Sequence, residues 1–178
     1  MCIRDSNYMV GAQLEGFECM VKLSKEAKIA VLEGDEYLSS PIDRRPKFHL
    51  YQPEIAVVSG IAWDHINVFP TFENYVEQFR IFVDKVGKNG RVIYFEDDNV
   101  LNEVVLNSSS KAIKIPYCTF PNQIKNGITY VRTEREEIPL EIFGDHNLQN
   151  LNAAYHVCIQ LGMKSVDFFS AIRSFKGA

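Results

Sequence analysis

Apolar runs that fail to alternate constrain this chain most: "IAVL" (29–32), "IAVVSGIAW" (55–63) and "RVIYF" (91–95). A strand covered on one face alternates apolar with polar residues, whereas one covered on both faces reads as a continuous apolar run, the mark of a parallel sheet. Strand-like stretches are predicted at 7–12, 28–36, 54–63, 91–96 and 111–117. Between them lie helical patterns. After Pro70, Thr71 is placed as an N-cap, and Phe72, Tyr75, Val76, Phe79, Val83 and Val86 recur at helical spacing until "GKNG" (87–90) ends the helix as a C-cap and turn. A shorter helix is predicted from Asp98 to about Asn107, with Val100, Leu101, Val104 and Val105 on one face and Asp97 and Asp98 as capping acids. Strands alternating with helices predict an α/β fold, a mostly parallel sheet flanked by helices.

After Tyr117 the pattern changes. "ITYVR" and "EIPLEIF" alternate and are joined by charged, Gly-containing turns, which predicts a small antiparallel appendage. A helix is then expected from Asn147, with Leu151, Ala154, Tyr155, Cys158 and Leu161 on one stripe and Gly162 as its stop. Ser165 is read as the cap of a last helix carrying Phe168, Phe169, Ile172 and Phe175. With 178 residues, 46% hydrophobic and 24% charged, and no repeat or linker, one domain is expected. The net charge of -4 is spread in mixed signs, so no nucleic-acid footprint and no basic membrane face is indicated. Cys2, Cys19, Cys118 and Cys158 show no paired spacing, and no apolar run approaches the roughly 18 residues of a membrane span, so a reduced, cytoplasmic protein is expected. The first six residues, "MCIRDS", lack the plan of a signal peptide and read as a non-native leader.

In an open α/β sheet, ligands gather at the carboxyl ends of parallel strands. Two such tips carry chemistry here: Glu33, Asp35 and Glu36 after "IAVL", and Asp64 and His65 after "IAVVSGIAW". If those strands are neighbours, Glu33 and His65 meet, and a carboxylate with an imidazole suits Mg2+ or Mn2+ carrying phosphate oxygens. The competing reading leaves the acids solvated and gives His65 a structural hydrogen bond. In "GDHNLQNLNAA" (144–154), Asn147 is a candidate N-cap, and Asn150 could offer its amide to a heterocycle. No G-x-x-x-x-G-K-[ST] phosphate loop is present. Arg44, Arg45 and Lys47 beside Asp43 read as a solvated turn before an anion contact, and Trp63 as core.

Taken together, "VLEGDE", "GIAWDHINVFPTFENYVEQF", "GDHNLQNLNAA" and the final "FKG" resemble, in order and spacing, the central ATP-binding domain of the Mur ligase superfamily, over residues 7–178. The resemblance implies a phosphate-loop-type α/β domain and an ATP-driven amide synthesis, in which the lactyl carboxylate of UDP-N-acetylmuramate is phosphorylated and then attacked by an amine. By the same resemblance Glu33 falls on a metal-binding glutamate, His65 on the histidine of a D-H motif beside the metal, and His146, Asn147 and Asn150 on a segment contacting the adenine side of ATP. "EGDEY" and the extra "IDRRPKF" are similar to the cell-wall-recycling branch, whose amine substrate is the murein tripeptide L-Ala-γ-D-Glu-meso-diaminopimelate. The muramate–alanine branch typically carries an E-A-D-E-S-D pattern.

Two departures stand out. Where many members have a carbamylated lysine this chain has Arg80, which stays protonated, so a second metal site would be built differently. The phosphate loop, the UDP-sugar domain before it and the C-terminal domain are expected to be missing, so the chain alone is expected to be inactive. Other readings are the muramate–alanine or folylpolyglutamate branch, a metal-dependent hydrolase using Glu33, Asp64 and His65, and a non-catalytic binding fragment.

Overall fold

The computed structural model describes residues 6–12, 17–134 and 136–177. Most of the residues read as a leader, 1–5, lie outside that set, while Ser6 is buried. At the centre is a parallel three-stranded sheet of β4 (Ile55–Val58), β5 (Arg91–Phe95) and β6 (Ile113–Tyr117), in the order 4-5-6. Parallel neighbours need a crossover, and α1 (Phe72–Lys85) and α2 (Asn99–Asn107) supply the two. They pack on one face, where Ala56, Val58, Val92 and Tyr94 meet Phe79, Phe82, Val83, Leu101 and Val105. On the other face Ile93 and Tyr117 meet Ala153 and Val157 of α3 (Asp145–Gln160). Covering both faces is why β5 reads as an unbroken apolar run.

Local chemistry sets the element ends. The Thr71 hydroxyl accepts the Asn74 amide at 3.2 Å, and the Asp98 carboxylate accepts the Leu101 amide at 3.0 Å, so both expected N-caps are made. Gly162, at φ 85, stops α3, with its own amide on the Ile159 carbonyl and that of Met163 on Cys158. In the antiparallel sheet of β7 (Asn122–Lys125), β8 (Ile128–Arg132) and β9 (Glu137–Leu140), Asn126 and Gly127 both take positive φ in the two-residue turn that joins β7 to β8. This sheet and α4 (Ser165–Ile172) share a second core around Val131, Ile138, Leu148 and Phe168.

Several expectations are corrected. "IAVL" forms β3 (Ala30–Leu32), but it pairs in parallel with β1 (Asn7–Met9) in a separate sheet that also holds β2 (Val21–Lys22). Val31 and Leu32 remain 49% and 40% exposed and belong to no hydrophobic cluster, so among the described residues this strand is not covered on both faces. Asn147 is not an N-cap: Gly144 holds that position, and the Asn147 side chain donates to the Phe143 carbonyl at 2.8 Å. Lys164, not Ser165, precedes α4 as its cap. Ala154 is exposed, while Asn152 and Ala153 turn inward, because α3 serves the sheet and the second core along adjoining faces. Trp63 is 44% exposed, with its indole N–H on the Phe69 carbonyl at 3.1 Å.

Candidate functional site

The tip of β4 is held in an unusual shape. Gly60 has φ 153, and the next amide, of Ile61, donates to Asp98 Oδ2 at 2.7 Å while Asp98 Oδ1 caps α2. Farther along, His65 takes φ 54, a left-handed conformation that a residue with a Cβ adopts at a cost. Three bonds hold it there. Its amide donates to Asp64 Oδ1 at 2.6 Å, and its carbonyl accepts from Val68 at 2.7 Å and Phe69 at 2.9 Å. The imidazole lies edge-on to the Tyr37 ring, centroids 4.9 Å apart, with Nε2 3.5 Å from Glu36 Oε1.

The acids after β3 divide by partner. Glu33 continues the β1–β3 ladder, its amide on the Met9 carbonyl at 2.8 Å, and Oε2 accepts the Gly11 amide at 2.5 Å. A Cβ at position 11 would sit 3.1 Å from Glu33 Oε1, so glycine permits this approach. Asp35 accepts from the Tyr37 amide at 2.7 Å and the Lys47 ammonium at 2.5 Å. Partial burial would raise its carboxyl, but Lys47 and the Tyr37 amide outweigh that and hold it below the usual carboxylate range. Glu36 also accepts from the Tyr75 hydroxyl of α1 at 3.3 Å. Burial and then the Glu36 charge push that phenol upward, so Tyr75 is a neutral donor at physiological pH.

The expectation that β3 and β4 are neighbouring strands is corrected. Strands β3 and β4 belong to different sheets, and among the described residues the carboxylates within 4 Å of the His65 ring are Glu36, 3.5 Å from Nε2, and Asp64, 3.9 Å from Nδ1. Glu36 was singled out in the sequence with the other acids of that tip; what sequence reasoning missed is its pairing with His65, the Tyr75 hydroxyl that donates to it, and the second bond accepted by Asp98. Helical spacing marked Tyr75 only as core, and nothing in spacing ties it to residue 36.

His146, Asn147 and Asn150 lie exposed on the first turns of α3. The helix runs against the strands: Gln160 at its end meets Arg91 at the start of β5 at 2.6 Å, and Asn152 reaches the Cys118 carbonyl, just past β6, at 2.7 Å. Its amino end thus projects beyond the carboxyl edge of the sheet, the edge that also carries His65. No hydrogen bond or ion pair among the described residues joins the two groups. Arg80 lies on the exposed face of α1, bonded to Glu77 and Asp84, and these carboxylates raise its already high value.

Among the described residues no group of three or more His, Cys, Asp or Glu is arranged to hold a metal ion. The donors present instead fit a hard cation that needs little from protein. Glu33 uses only Oε2 in its bond to Gly11, and Mg2+ commonly takes one or two carboxylates and fills its shell with water and phosphate oxygens. No helix among the described residues is long and apolar enough to cross a membrane.

Residues 11–158 match the family description "Mur ligase middle domain". A UDP-N-acetylmuramate–L-alanine ligase of Desulforamulus reducens is 28% identical over 98% of this chain and 38% of its own length. In Escherichia coli, UDP-N-acetylmuramate–L-alanyl-γ-D-glutamyl-meso-2,6-diaminoheptandioate ligase is 25% identical over 99% of this chain and 40% of its own. The fold is shared with the crystal structure of UDP-N-acetylmuramate:L-alanyl-γ-D-glutamyl-meso-diaminopimelate ligase from Neisseria meningitides, at TM-score 0.83 and 19% identity, covering 98% of this chain and 58% of that one. The chain thus spans about two fifths of the length of the two sequence relatives. It belongs to the Mur ligase family, whose middle domain residues 11–158 match.

Proposed function

We propose that the chain is the nucleotide- and metal-handling segment of an ATP-dependent amide ligase that joins UDP-N-acetylmuramate to the tripeptide L-Ala-γ-D-Glu-meso-diaminopimelate. The observation that carries it is the braced left-handed His65 at the same sheet edge as the amino end of α3. In the reaction the substrate carboxylate attacks the γ-phosphorus of ATP, ADP leaves, the peptide amine attacks the acyl phosphate, and phosphate departs. The difficulty is charge: a carboxylate must approach a polyanion. Mg2+ (or Mn2+), when bound, supplies charge neutralisation and a template for the phosphate oxygens.

This chain's residues divide the remaining work. Glu33 would hold the ion through its carboxylate, with its backbone fixed by Met9 and its side chain by Gly11. His65, oriented by Glu36, Tyr37 and Asp64, would stand beside the ion and the transferring phosphoryl group as ligand or donor. His146 and Asn150 would meet the adenine, with Asn147 bracing the turn through the Phe143 carbonyl. The sequence carries no G-x-x-x-x-G-K-[ST] segment to cradle the phosphates, so the residues named here supply the metal and adenine contacts of the proposed site.

The tripeptide reading rests on the "EGDEY" and "IDRRPKF" segments and on the Escherichia coli relative; the Desulforamulus relative favours L-alanine as the amine. Phosphate release by the longer ligase that contains this segment separates them. Release that depends on tripeptide and not on L-alanine supports the proposal, and the reverse dependence overturns the tripeptide reading. For the site, Mg·ATP added to the isotopically labelled chain should perturb amides 145–150 together with those of Glu33 and His65. Shifts confined to other surfaces would refute it.

A further inference from the structure

At the amino edge of the central sheet, opposite His65, a cleft of about 780 Å³ opens between residues 49–55, the turn at 87–90 and the end of α3. Its volume is that of a small-molecule site, roughly 300–1,000 Å³. Lys85, Lys88 and Arg91 line it, against Glu54 as the one carboxylate among its lining residues. In a chain of net charge -4 this is a local reversal of sign.

The cations differ in what already occupies them. Lys85, in the last turn of α1, donates to the His49 carbonyl. His49 is buried with Nε2 2.8 Å from the Gln78 carbonyl, and desolvation lowers its imidazole below the ordinary value, leaving it neutral at pH 7. Arg91 is half-buried, its Nε 2.6 Å from Gln160 Oε1 and its Nη1 3.1 Å from the Asn89 carbonyl. Both acceptors are neutral. Among the described residues neither Arg91 nor Lys88 has a carboxylate within ion-pair distance, whereas Arg45, Lys47, Arg80, Lys125, Arg132 and Arg173 each do. A guanidinium fixed by neutral oxygens keeps its fork in place and its charge uncompensated, the state that best receives a phosphate. Tyr51, Pro53 and Leu161 line the same space.

We propose that this cleft binds a phosphorylated small molecule with an apolar or aromatic body, Arg91 and Lys88 taking the phosphate and Tyr51, Pro53 and Leu161 the body. The turn "GKNG" is then more than a helix stop: it presents Lys88 and positions Arg91 through the Asn89 carbonyl.

Phenyl phosphate and inorganic phosphate, titrated separately into the isotopically labelled full chain, test this. Phenyl phosphate should shift amides 87–91 and 161 saturably with Kd below about 1 mM, and inorganic phosphate should bind the same amides more weakly. Arg91→Gln should weaken phenyl phosphate about tenfold and Lys88→Gln severalfold, with circular dichroism unchanged. Lys88 bonds to nothing described, so its variant keeps the test valid if Arg91→Gln perturbs folding. Shifts still linear at about 10 mM, or binding indifferent to both substitutions, would overturn the site. So would a Glu-rich peptide that occupies these amides when both phosphates fail, since that marks a protein-docking face. Amides of His65 and 145–150 report the opposite edge, so this outcome is independent of the proposed ligase site.

Discussion

The Asp98 carboxylate accepts the backbone amide of Ile61 at 2.7 Å, across 37 residues of chain, while its other oxygen caps α2. One side chain thus fixes both the start of a helix and the loop that leads to His65. Asp98→Ala removes two acceptors and is expected to cost about 1–3 kcal/mol of stability, with Asp98→Asn costing less because one acceptor oxygen remains. Urea unfolding gives the energies. Amide exchange at Ile61 should quicken selectively, and unchanged exchange there would show that the loop is held by something else.

His65 occupies left-handed backbone, where a Cβ is strained and glycine is not. His65→Gly should therefore be more stable than His65→Ala by about 1 kcal/mol in denaturant unfolding, the reverse of the order at an ordinary loop position. Both variants should lose ligase activity in the longer enzyme. Equal stability of the two would mean the turn relaxes once the imidazole is gone.

Within the 38–46 loop, Arg45 bonds Asp43 through Nε and Nη2, and this pair with the neighbouring amide pulls the Asp43 carboxyl down to about 2. The folded value is depressed, so the pair's contribution is present above the ordinary value of about 3.9 and disappears as pH falls through about 2. A carbon-detected titration of Asp43 should find its midpoint near 2, and Arg45→Gln should return it toward the ordinary value. A midpoint of about 4 in the unmodified chain would show the pair to be open in solution.

Gly11 lets its amide reach Glu33. Gly11→Ala would place a methyl 3.1 Å from a carboxylate oxygen, which a flexible side chain evades by rotating. Stability should change by no more than about 0.5 kcal/mol, while the affinity of the longer enzyme for Mg·ATP falls severalfold. Calorimetric titration checks this, and an unaltered affinity would argue against Glu33 as the metal carboxylate.

Much of the fold was legible because its signals are local. The run 91–95 became a strand buried through its middle, and Thr71, Asp98 and Gly162 bound the elements they were assigned to. Caps and periodicity depend on neighbours within a turn or two, so they survive without knowledge of the rest. The failures are of another kind. "IAVL" looked like β4 and β5 in composition, yet its exposure depends on what lies across it, and among the described residues 30–32 pair with β1 alone.

At the candidate site the same division holds. Sequence alone determined that a carboxylate-rich tip and an Asp64–His65 tip follow two strands, and that an Asn-bearing helix start comes later, since residue type and strand length are written locally. Only the tertiary structure decided that Glu36, not Glu33, stands 3.5 Å from His65, that Tyr75 of α1 reaches the same carboxylate, and that Asp98 ties the loop down. These pairings join residues 29 to 39 positions apart, and such contacts depend on strand order and helix packing, which no local pattern encodes.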